Sequence, residues 1–164
     1  MKLNRLLLIL LFSSAVFFTS YSSDNYINKI EFQIYSLDNK QYTNKSFNDI
    51  VILHFGNLES NIFIFDFLKL SNFAKTKKYI FRYLPILYNN KEEIEQFKST
   101  YHVDTDIFTD KKDTLKTTIP LQLLPTTYVL DQNGSIIFEY TGALDIDLLD
   151  KNLTSLDNFK NGGI

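Results

Sequence analysis

Leu124-Pro125-Thr126-Thr127-Tyr128-Val129-Leu130-Asp131-Gln132-Asn133-Gly134 is the stretch that decides the fold. Thr126 to Leu130 is a β-branched and apolar run, and Ser135 to Tyr140 is a second one. Between them Asp131 to Gly134 carries the Asn-Gly step of a tight hairpin. Ahead of the first run, Pro125 has no N–H to give to a ladder, so the strand starts after it.

Working outward, Ile50-Val51-Ile52-Leu53-His54-Phe55 is continuous and β-branched, bounded by Asp49 and Gly56. A strand covered on both faces reads this way, with helices packed over a mostly parallel sheet. Ile30 to Tyr35 alternates apolar and polar, Asp38-Asn39 signals a turn, and Lys40 to Thr43 returns as a short strand. The periodicity predicts a helix over 60–75, a strand over 78–87 and a helix over 91–101. It adds a short helix near 110–117 and a final helix over 145–159, carrying Leu148, Leu149, Leu153 and Leu156. This order argues for a single α/β domain, a mixed sheet between helical layers.

The N-terminus reads as a secretory leader. Lys2 and Arg5 precede the apolar run Leu6 to Phe18, and Ser20 and Ser22 suit a cleavage after Ser22. The 13-residue run is shorter than the roughly 20 residues of a membrane-spanning helix. The expectation is a leader over 1–22 and a domain over 23–164, exported and without stable membrane insertion. An uncleaved N-terminal anchor is the alternative. Removing the leader takes two of the 17 basic side chains and none of the 19 acidic ones. The rest is acidic and has no basic stripe for phosphates, which argues against a nucleic-acid partner.

The chain contains no cysteine. It nevertheless resembles the thioredoxin-like superfamily, and within it the exported redoxins of the TlpA-like type. Those read strand, Phe-Trp-x-x-Trp-Cys-x-x-Cys opening a helix, then Pro-Thr-Thr, an Asp-x-x-Gly hairpin and a later Gly. Phe55 matches the family Phe and Gly56 stands for the Trp. Ser60 and Phe63 fall where the two cysteines belong. Pro125-Thr126-Thr127 matches the proline loop, Asp131 to Gly134 the hairpin, and Thr141-Gly142-Ala143-Leu144 the closing segment. The resemblance implies a three-layer sandwich with helices on both faces of a central mixed sheet and an N-terminal β-hairpin extension. It also implies a cis Pro125 beside which Leu124 offers its backbone to an extended peptide, and an envelope location, most simply a Gram-negative periplasm.

Thiolate is the nucleophile of disulfide exchange, so a chain without cysteine performs none by itself. Ser60 reads as a helix N-cap and Phe63 as a core residue. A hydrolase using Ser60 would need a base, and only His54 and His102 are on offer. His54 reads as a core or strand-end histidine, at the place where thioredoxins often carry a buried acid, and His102 as a solvated loop residue. Phe55-Gly56 also echoes the copper-delivering Sco-type relatives, but the two thiolates of their site are missing. Asp104, Asp106 and Asp110 lack the glycine and glutamate of a calcium loop and read as a solvated acidic loop. Neither metal nor cofactor is implied.

Two surfaces remain for a protein or extended-peptide partner. One is the groove formed by Ser60, Leu124, Pro125 and Thr126. The other is an apolar patch of Ile62, Phe65 and Phe73, which fall among Asp66, Lys69 and Asn72 on the wet side of the helix, opposite the docking stripe Phe63, Phe67, Leu70 and Ala74. A non-catalytic binding or scaffold module is the leading reading. The alternatives are an enzyme of non-thiol chemistry at the Ser60/His54 end and a decayed oxidoreductase.

Overall fold

The computed structural model describes residues 29–77, 81–111, 113–115, 119 and 123–161. The leader over 1–22 lies outside them. Seven strands form one mixed sheet: β1 (Gln33–Ser36), β2 (Gln41–Thr43), β3 (Ile50–Gly56), β4 (Phe81–Leu87), β5 (Phe108–Thr109), β6 (Thr126–Leu130) and β7 (Ile136–Thr141), in the order β2-β1-β5-β4-β3-β6-β7. β3, β4 and β5 run parallel, while β6 pairs antiparallel with β3, and β7 with β6. The described helices are α1 (Asn61–Thr76), α2 (Lys91–Tyr101) and α3 (Ile146–Asn161). None of them is long and apolar enough to cross a membrane.

Every residue of β3 is buried, as its continuous apolar run requires. Alternation divides its side chains between two cores. Val51, Leu53 and Phe55 join Ile30, Phe32, Leu84, Ile86, Leu115 and Ile119 on one face. Ile50 and Ile52 join Phe63, Phe67 and Leu70 of α1, Ile94 and Phe97 of α2, and Leu149 and Leu153 of α3 on the other. His54 points to this second face. On the first face the cover is the N-terminal segment with Leu115 and Ile119, and the short helix expected near 110–117 lies only partly within the described residues.

Local chemistry sets the element ends. α2 opens with a capping box: Glu93 N–H donates to Asn90 Oδ1 (2.9 Å), and Asn90 N–H donates to Glu93 Oε2 (3.3 Å). It closes on His102, exposed and left-handed (φ 51°) as the C-cap. In the β6–β7 hairpin, Asp131 Oδ1 accepts from Asn133 and Ser135 N–H, both at 2.8 Å. Gly134 has φ +84°, and a Cβ there would lie 2.6 Å from the Asn44 side chain and 2.7 Å from the Ile30 carbonyl. Asn44 accepts from Phe32 N–H (2.7 Å) and donates to Ile30 O (2.6 Å), fastening the N-terminal segment beneath the sheet.

Several expectations need correction. The first strand is Gln33–Ser36 rather than 30–35; Lys29 makes an isolated bridge to Ser135. Residues 78–80 of the predicted third strand lie outside the described residues. β5, two residues long, is additional. Phe73 is only 7% exposed and packs on Phe81 (ring centroids 5.7 Å), because α3 and β4 close over that flank of α1. Asp66, expected on the same wet face, is buried for the same reason. Asp110 is not solvated. Its carboxylate accepts from Thr114 N–H (3.0 Å), Thr114 Oγ1–H (3.1 Å) and Leu115 N–H (3.0 Å), initiating a helical turn.

Candidate functional site

The antiparallel pairing of β3 with β6 brings the C-terminal end of β3 beside the start of β6. Phe55 pairs with Thr126, so one further step of the antiparallel register sets Gly56 alongside Pro125. The Leu124–Pro125 bond is cis, and Gly142 N–H donates to Pro125 O (2.8 Å). The β3–α1 loop, the proline loop and the β7–α3 loop therefore meet at one end of the sheet.

The α1 side of this end is filled. Ser60 has extended backbone angles and its Oγ accepts from Phe63 N–H at 3.2 Å, capping α1. Phe63 is fully buried, and its ring occupies the space over Gly56: a Cβ on Gly56 would lie 2.0 Å from Phe63 Cδ2. Two of the residues that depart from the redoxin pattern, Gly56 and Phe63, thus fit each other. The large aromatic at 63 requires the missing side chain at 56. On its other side the Phe63 ring lies against the His54 imidazole (centroids 4.7 Å).

His54 is buried, and its Nδ1 hydrogen-bonds the Tyr83 hydroxyl at 3.0 Å. Among the described residues its Nε2 has no hydrogen-bond partner. Burial holds the imidazole pKa down at about 3, so the ring is neutral at pH 7. Burial, reinforced by the Asp66 charge, pushes the Tyr83 hydroxyl well above its ordinary value. Burial also raises the Asp66 carboxyl, against the lowering effect of its hydrogen bond from Leu144 N–H (2.9 Å) and of Lys69. Asp66 so ties α1 to the loop that holds Pro125.

The proline side is open. Leu123 and Leu124 are 64% and 39% exposed, while Pro125 and Thr126 are buried. Thr126 Oγ1–H donates to Leu123 O, shaping the loop. Among the described residues, the main-chain N–H and C=O of Leu124 make no hydrogen bond. Across the loops Ile62 and Phe65 of α1 are 50% and 59% exposed, with the Lys69 ammonium 4.2 Å from the Phe65 ring centroid.

Ser60 and His54 form no hydrogen bond to each other: the Ser60 hydroxyl serves the helix, and Phe63 covers the imidazole. No hydroxyl–base pair results. Sequence reasoning missed Tyr83 and Asp66. Tyr83 was within reach, because the parallel register Ile52↔Tyr83 puts it on the His54 face. A cleft of about 500 Å³ next to the site, between Tyr88, Lys91 and Lys111, takes in none of Ser60, Leu124, Pro125 or Thr126.

No protein-family model and no curated protein matches the sequence. The structure is similar to StoA from Bacillus subtilis (TM-score 0.65, 15% identity, covering 76% of this chain and 97% of that one). The chain has a thioredoxin-like fold. The thioredoxin-like architecture is shared with the exposed lipoprotein thioredoxin Etrx1 of Streptococcus pneumoniae (TM-score 0.65, 16% identity, 77% and 99% covered). It is shared too with a secreted Mycobacterium tuberculosis disulfide oxidoreductase homologous to Escherichia coli DsbE (TM-score 0.63, 15% identity, 76% and 95% covered). This is the fold of TlpA- and DsbE-type redoxins, carried by a cysteine-free chain.

Proposed function

We propose that this domain is a non-catalytic protein-binding module of the cell envelope, holding an extended segment of its partner along the proline loop. The carrying observation is the unpaired main chain of exposed Leu124 beside a thiol side that is packed shut. An extended chain adds to such a backbone by strand-like pairing, and this needs no nucleophile. Leu123, Leu124 and Ile62 supply apolar area for its side chains. The pairing surface comprises Leu124, Pro125, Thr126 and the Ser60 end of α1; Ile62 and Phe65 extend it, without Phe73. Export fits the leader-like residues 1–22 and the likeness to an exposed lipoprotein and a secreted protein. A Gram-negative periplasm is the simplest setting.

The test is site-specific photo-crosslinking in the producing cell. A probe at position 124 should give a discrete adduct with an identifiable protein, and a probe at Glu92, exposed on α2, should not. Equal adducts from both positions, or none from 124, would overturn the reading.

A further inference from the structure

His54 is a buried residue whose two charge states its described surroundings do not accommodate equally. Neutral, it needs one partner for Nδ1 and has it in Tyr83. Protonated, it carries a second N–H, at Nε2, where the structure provides no acceptor. An unpaired buried charge costs far more than the neutral ring. The titratable groups around it are Tyr83 from β4 and Asp66 from α1, the latter facing Tyr83 with Lys69 beyond it. β6 contributes Thr127, which is uncharged, and α2 and α3 contribute buried apolar residues only. Asp66 is not bonded to the imidazole: its Oδ2 accepts from Leu144 N–H.

We propose that His54 is an acid-sensitive latch: its protonation releases the Phe63-bearing start of α1 from the sheet and, through Asp66–Leu144, loosens the loop that holds Pro125. The part that moves is set by contact. Phe63, in the first turn of α1, lies directly on the imidazole. Acid acts on Asp66 in the same direction, because a protonated carboxyl accepts more weakly from Leu144 N–H. Gly142, two residues before Leu144, holds the Pro125 carbonyl, so the movement reaches the groove wall. The consequence for a partner rests on the groove reading; the latch itself does not.

The experiment is a titration of the exported protein from pH 7 to about pH 1.5, followed by His54 imidazole shifts in NMR, by dye binding to exposed apolar surface and by far-ultraviolet circular dichroism. The expected result is that His54 stays neutral to well below the ordinary histidine value of 6.5. Dye binding then rises together with His54 protonation while the helical signal is retained. Replacing both partners, His54→Phe with Tyr83→Phe, leaves no orphaned polar group and should move the dye-binding midpoint down by at least about one pH unit. Tyr83→Phe alone retains the imidazole and should retain the acid response. The latch is overturned if His54 takes up its proton near the ordinary value of 6.5 without dye binding, if the helical signal collapses, or if the double variant opens at the wild-type pH. The wild-type shifts decide the matter even if the double variant does not fold. Loss of crosslinking from position 124 at neutral pH would remove the groove and leave these readouts untouched.

Discussion

On the α1 side of the site, Ser60 caps a helix, Phe63 fills a core and Gly56 makes room for the ring. On the proline side, Leu123 and Leu124 stand exposed and the Leu124 main chain is unpaired. Both sides occupy one end of the same sheet. The difference teaches that a site can be packed shut on one side and stay open on the other. The first side is filled by core packing, whereas the second leaves the exposed leucines on which the proposed binding rests.

The sharpest way to break that division is Phe63→Ala. It should cost roughly 3–5 kcal/mol in denaturant unfolding, the range for an aromatic deleted from a packed core. A loss below about 0.5 kcal/mol would mean that Phe63 is not a plug. Acid comes next. His54 has its pKa held near 3 in the folded chain against an ordinary value of 6.5, so the unfolded chain takes up a proton that the folded one refuses. Stability from this group is complete above about pH 6.5 and falls by about 1.4 kcal/mol per pH unit as pH drops toward 3. His54→Phe with Tyr83→Phe should flatten that slope in denaturant titrations at pH 7, 6 and 5.

Gly56→Ala forces a methyl into the Phe63 ring and should destabilise by about 1–3 kcal/mol. Combining it with Phe63→Leu should recover part of the loss, a coupling measurable by a double-mutant cycle. The smallest stability effect belongs to Leu124→Asp, within about 0.5 kcal/mol of the parent. That same substitution should abolish crosslinking from a probe at the neighbouring position 123.

Much of this was legible in the sequence. The apolar run through Phe55, the Asp131 to Gly134 hairpin and Pro125 are local signals, each fixed by a few neighbouring residues, and the structure places them as their chemistry dictates. Ser60 as a cap and Phe63 as a core residue followed from the spacing of the helix that starts there. Phe73 and Asp66 did not. Phe73 packs on Phe81 of β4 and Asp66 is met by the Leu144 loop, 78 residues along the chain, partners that a single helical wheel does not include. Asp110 looked solvated because its spacing from Asp104 and Asp106 resembled a loop of acids; its three donors come from residues 114 and 115. β5 escaped because two residues have no periodicity to read.

The most direct measurement of the central claim is amide hydrogen exchange at Leu124 and Phe63 in one sample, free and then with the protein trapped by the position-124 probe. In the free domain Leu124 should exchange close to the rate of an unpaired amide, and Phe63, donating to Ser60 Oγ, should be protected. Adding the partner should protect Leu124 and leave Phe63 unchanged. A Leu124 amide already protected in the free domain, or still exchanging freely in the complex, would contradict the account.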